Sequence, residues 1–75
     1  MLNKLKQNTM KRLDKNGEEL FVGADVEVPS PTNEDQWNFE FVGTIIEFND
    51  TDDYCIVEDM DGDCWCVEPE RLELV

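Results

Sequence analysis

The sequence contains no histidine, and between residues 21 and 75 it carries a single basic side chain, Arg71. Without an imidazole the chain lacks the usual general base and a common zinc ligand. Carboxylates are plentiful, but their number reflects composition and not paired geometry, and Ser30 has no base near it in sequence. The chain is therefore expected not to be an enzyme and to carry no cofactor and no metal. Long apolar runs are missing too. Nothing approaches the roughly eighteen residues needed to span a bilayer, and no apolar stretch of signal-peptide type follows Lys4 and Lys6. Met1, Leu2, Leu5, Met10 and Leu13 make too sparse an apolar face for a membrane-surface helix. Cysteines number only three, Cys55, Cys64 and Cys66. An odd count without an export signal points to reduced thiols and a cytoplasmic location.

What is present is acid. The 75 residues carry a formal net charge of −13, distributed unevenly. Lys4, Lys6, Lys11, Arg12 and Lys15 make residues 1–20 mildly basic, whereas the stretch from 21 to 75 holds nearly all the carboxylates. Such a surface repels phosphate backbones and attracts basic proteins, so direct nucleic-acid binding is not expected and a partner with a basic surface is. The length suits one domain with a thin core. Residues 1–20 read as a basic N-terminal tail or short helix, weakly periodic from Leu2 to Leu13 and stopped at Asn16-Gly17. Residues 21–75 read as the folded, acidic part.

From Gly23 onward the periodicity is that of strands. Ala24-Asp25-Val26-Glu27-Val28 alternates cleanly and stops at Pro29. A polar loop follows, and Trp37, Phe39 and Phe41 share a strand-like spacing. Gly43–Phe48 forms a second strand, with Val42, Thr44, Ile46 and Phe48 on one face and Ile45 and Glu47 on the other. Tyr54–Glu58 and Cys64–Val67 are the third and fourth, joined by a tight turn in which Gly62 is free to take positive φ. If Glu58 pairs with Cys64, then Ile56 faces Cys66, and Cys55, Val57, Trp65 and Val67 share the face turned to the core. Pro69 opens a single helical turn before a short closing strand at Leu72–Leu74. The fold class is all-β: five short strands in a small barrel.

The segments GADVEVP (23–29), FVGTIIEF (41–48) and YCIVEDMDGDCWCVEPERLEL (54–74) resemble the SH3-like barrel superfold, in particular its Tudor-like and KOW-like branches. The resemblance implies a long loop after the first strand, an acidic-glycine hairpin turn, and a short 3-10 turn before the last strand. It also implies binding of peptides, methylated side chains, nucleic acid, or ribosomal and transcriptional partners. The basic surface used by the KOW branch is missing here. The Tudor branch reads methylated cations with an aromatic cage. Trp37, Phe39, Phe41, Phe48, Tyr54 and Trp65, with the many carboxylates, are available for such a cage, but a small core also needs aromatic residues: Phe39 or Phe41, and Phe48, are expected inside, and Trp37 and Tyr54, beside the polar loops, exposed.

Two other constellations carry less. Cys64 and Cys66 point to the same side of a strand, but the spacing is not that of a zinc site and C-W-C is not a redox motif. Asp59, Asp61 and Asp63 lack the EF-hand pattern, since Gly62 falls at the fourth position and Glu70, at the twelfth, lies beyond the next strand. Asp50, Asp52, Asp53 and Asp59–Asp63 are solvated acidic turns able to attract cations loosely.

The expected function is thus a binding module. Trp37, Phe39 and Tyr54 form an exposed aromatic patch, and Glu34, Asp35 and Asp53 supply charge around it, for a basic or proline-rich protein segment. Two alternatives use the same acidity. One is an inhibitor that imitates nucleic acid; the other is an accessory subunit whose basic N-terminal stretch docks on a neighbour. The oligomeric state is left open, a monomer being the simpler expectation.

Overall fold

The computed structural model describes residues 11–49, 51 and 53–75, so most of the expected N-terminal helix, together with Asp50 and Asp52, lies outside the described residues. Alternation builds the first strand, β1 (Asp25–Val28): Val26 and Val28 are fully buried while Asp25 and Glu27 face out. β2 (Phe41–Asn49), β3 (Tyr54–Glu58), β4 (Cys64–Val67) and β5 (Glu73–Leu74) follow, with a 3-10 turn at Pro69–Arg71. All pairings are antiparallel, and the strands form one five-stranded sheet in the order β4-β3-β2-β1-β5.

The β3–β4 hairpin has the expected register, with Glu58 opposite Cys64 and Ile56 opposite Cys66. Cys55, Val57 and Val67 are buried and Trp65 packs half-buried against them. β2 departs from simple alternation. Gly43 and Ile45 face the core, whereas Val42 and Ile46 are substantially exposed. A bulge between Ile45 and Glu47 then moves the parity by one, so Phe48 returns to the core side opposite Cys55. An extra residue in one strand has this consequence because side chains alternate with a period of two. Hence Phe48 does not share a face with Val42 and Thr44 as a regular strand would require.

Lys11–Leu20 is neither a tail nor a helix. Leu13 bridges to Glu19 around an Asn16-Gly17 turn, and Gly17 takes φ of 82°. Asp14 organises this segment: its carboxylate accepts from the N–H groups of Asn16 and Glu18, and across the fold from that of Leu74. Leu20 is buried in the core with Ala24, Ile45 and Leu72. Among the described residues no helical layer covers the sheet. The strands therefore bury their common face by wrapping it around Val26, Val28, Ile45, Val57 and Leu72.

Candidate functional site

Loop 29–40 is shaped by its own hydrogen bonds. Asp35 accepts from the Thr32 N–H at 2.8 Å and from the Thr32 hydroxyl at 3.1 Å, which closes a small turn. The 3-10 turn presents Arg71 to the other side of this carboxylate. Its guanidinium donates twice to Asp35, at 2.9 and 2.7 Å, and once to Glu68 at 3.0 Å. Bidentate pairing of this kind fixes geometry as well as charge. It holds the Asp35 carboxyl far below its ordinary value and raises Arg71 further above its own.

Trp37 was expected to be exposed, and here the structure corrects the sequence reading. The side chain is only 4% exposed, its indole N–H donates to the Pro29 carbonyl at 2.9 Å, and Arg71 lies over its ring at 5.2 Å from the centroid. Loop 29–40 folds back because the indole gains a polar partner and an apolar seat together. The ring face that a methylated cation would use is occupied by the chain's own arginine. Phe39, two residues on, is 79% exposed instead of sharing the strand, which begins only at Phe41.

Across from this loop stands the β3–β4 hairpin. Asp59 Oδ1 accepts from the N–H groups of Asp61 and Asp63, and Oδ2 accepts from the Trp65 indole N–H at 2.9 Å. The Trp65 bond, with the backbone donors, draws the Asp59 carboxyl below its ordinary value. Asp59 is thus a scaffold for the turn and an anchor for Trp65.

Trp37 and Trp65 separate two adjoining clefts. One, of about 380 Å³, lies between loop residues 34–37 and β4, with Tyr54 and Glu68 at its margin. The other, of about 620 Å³, is lined by Phe39, Phe41, Val42 and Met60, with Asp61 and Asp63 on its rim. Of the residues expected to bind a partner, Glu34, Asp35, Trp37 and Tyr54 meet in the first cleft and Phe39 lies in the second. Asp53 is not part of either; it pairs with Arg12 at 3.5 Å. Arg12 also stacks over Phe48, so this basic residue docks on its own sheet.

Sequence reasoning did not single out Met60, Trp65, Cys64, Cys66 or Glu68 as binding residues. Met60, 96% exposed, carried a signal: an unbranched apolar side chain at the tip of an otherwise acidic turn. The other four needed the fold of loop 29–40 to define their cleft.

Cys64 and Cys66 are exposed, whereas Cys55 is buried and desolvation pushes its thiol up to about 11. Among the described residues, no three Cys, Asp or Glu side chains are grouped so as to hold a metal ion. No helix among them is long and apolar enough to cross a membrane. No protein-family model, curated protein or solved structure matches this chain.

Proposed function

We propose that this chain is a non-enzymatic, SH3-like binding module that recognises a basic segment of a protein partner. The observation that carries this reading is the pair of clefts meeting at Trp37 and Trp65. Their floor is aromatic, Phe39 and Met60 stand exposed beside them, and Glu34, Glu68, Asp61 and Asp63 supply negative charge. Arg71, outside the lining of the first cleft, pairs with two of its carboxylates, Asp35 and Glu68. The exposed apolar groups favour protein recognition over imitation of a phosphate row, which has no use for them. The strand order and the 3-10 turn before β5 support the SH3-like comparison. Free thiols at Cys64 and Cys66 suit a reducing cytoplasm.

An array of short immobilised peptides of graded charge and apolar content tests the proposal. Retention is expected for peptides combining Lys or Arg with apolar residues. Phe39→Ala with Met60→Ala, at two exposed positions, should weaken that retention about tenfold without lowering stability. An array without retained peptides, or retention indifferent to the paired variant and to Glu34→Lys, overturns it.

A further inference from the structure

The sheet has two outer edges, and they are treated differently. On the β5 side, Lys15 N–H donates to the Leu72 carbonyl at 2.9 Å and Asp14 takes the Leu74 N–H at 3.0 Å. That edge is capped by the Leu13–Glu19 hairpin. On the β4 side, among the described residues, no backbone hydrogen bond arrives from the rest of the chain.

The hairpin sets which groups this leaves. Asp59 N–H donates to the Asp63 carbonyl, so these two form a hydrogen-bonded pair. Alternation along an antiparallel ladder then makes Val57–Trp65 and Cys55–Val67 the bonded pairs. The N–H and C=O of Cys64 and of Cys66 consequently point away from β3. The 380 Å³ cleft opens onto this edge: one wall is the consecutive run Cys64, Trp65 and Cys66, whose side chains lie on both faces of the strand. A cleft over one face of a strand would instead meet alternate residues. The usual protections of an exposed edge, a lysine, a proline or a bulge, are absent from CWCV.

We propose that the free edge of β4 accepts an extended segment of a basic partner protein as an added antiparallel strand. The proposal rests on the binding-module reading and specifies its mode. Residues of the added strand bonded to Cys64 and Cys66 share their face, where Glu58, the cross-strand partner of Cys64, also lies, and are Lys or Arg. The alternate residues turn towards Trp65 and Trp37 and are apolar. Charge selects a basic partner over a second copy, because edge-to-edge pairing of two chains of net charge −13 would bring like carboxylates together.

The probe is the peptide acetyl-RVKVRVK-amide, used with the full chain. Hydrogen exchange of the free protein should show fast amides at Cys64 and Cys66 and slow ones at Trp65 and Val67. Peptide should slow the first pair and shield the Cys64 and Cys66 thiols from alkylation. N-methylation of the Arg and Lys amides should weaken binding about tenfold or more, and N-methylation of the Val amides should have little effect. Binding that ignores both methylation patterns and leaves the Cys64 and Cys66 amides fast, yet falls with Phe39→Ala and Met60→Ala, overturns strand addition and retains the binding module. Slow Cys64 and Cys66 amides in the free chain mean that a second copy or residues 1–10 already fill the edge, which also overturns it. Sedimentation separates these two cases. Absence of peptide binding here and on the array defeats both readings.

Discussion

Trp37 and the three cysteines show how the same residue type acquires opposite roles from burial alone. Replacing Trp37 with alanine removes a side chain packed in the core, a hydrogen bond to Pro29 and the seat of Arg71. The expected cost is about 3–5 kcal/mol, read as a lower urea midpoint. The variant is therefore a test of stability and not of recognition; an unchanged midpoint would contradict the burial of the ring. The thiols divide in the same way. At mildly alkaline pH, a thiol-reactive dye should modify Cys64 and Cys66 rapidly. Cys55, desolvated and shifted to about 11, should react only on unfolding. Three equally fast thiols in the native protein would refute the assignment. Cys55 and Val57 were legible as core residues because hairpin register follows from the turn. Trp37 was misread because its burial depends on the Pro29 carbonyl and on Arg71, which only the fold brings to the ring.

Among the elements, β2 carries the most constraint. Its bulge lets Ile45 and Phe48, three residues apart, both face inward, which no regular strand allows. Upstream of the bulge, Gly43 lies so close to β3 that a Cβ there would sit 2.6 Å from the Glu58 carbonyl oxygen and 2.7 Å from a Val57 methyl. Gly43→Ala should then destabilise the sheet by about 1–3 kcal/mol, because β3 has to move. Chemical denaturation measures it, and a stability equal to wild type would mean that the two strands separate more easily than their geometry indicates. The β3–β4 turn has a gentler requirement. Gly62 takes φ of 86°, and a Cβ there would meet only Glu58 Oε2 at an ordinary 3.9 Å, so Gly62→Ala meets strain without a clash, costing about 1–2 kcal/mol. The strand positions, the β3–β4 hairpin and the Pro69 turn were visible in the alternation and in the Gly and Pro placements; the Leu13–Glu19 hairpin was not. The bulge was not, since adjacent isoleucines at 45 and 46 fit either face.

At the scale of the whole molecule, acidity and stability are linked through three carboxylates. Asp14, Asp35 and Asp59 each have a folded pKa below the ordinary 3.8, owing first to the Leu74 N–H, Arg71 and Trp65 respectively. A depressed folded value means that the ionised form favours the native state. This contribution is complete above about 4 and is lost as pH falls from there through the folded values. Urea midpoints should therefore drop on acidification below about 4, and Asp14→Asn should flatten that acid limb while lowering stability at neutral pH. An acid limb of unchanged slope in the variant would show that Asp14 is not among the linked groups. What the sequence determined by itself is the all-β class, the positions of the strands along the chain, the β3–β4 register and the acidic character, because alternation, turn residues and charge are local properties. Only the tertiary structure decided where the clefts lie, which aromatic side chains are spent inside, and which sheet edge is left open among the described residues. Those outcomes depend on Asp14 reaching Leu74, Arg71 reaching Asp35, and loop 29–40 folding towards β4, contacts between residues far apart in the chain that no local pattern encodes.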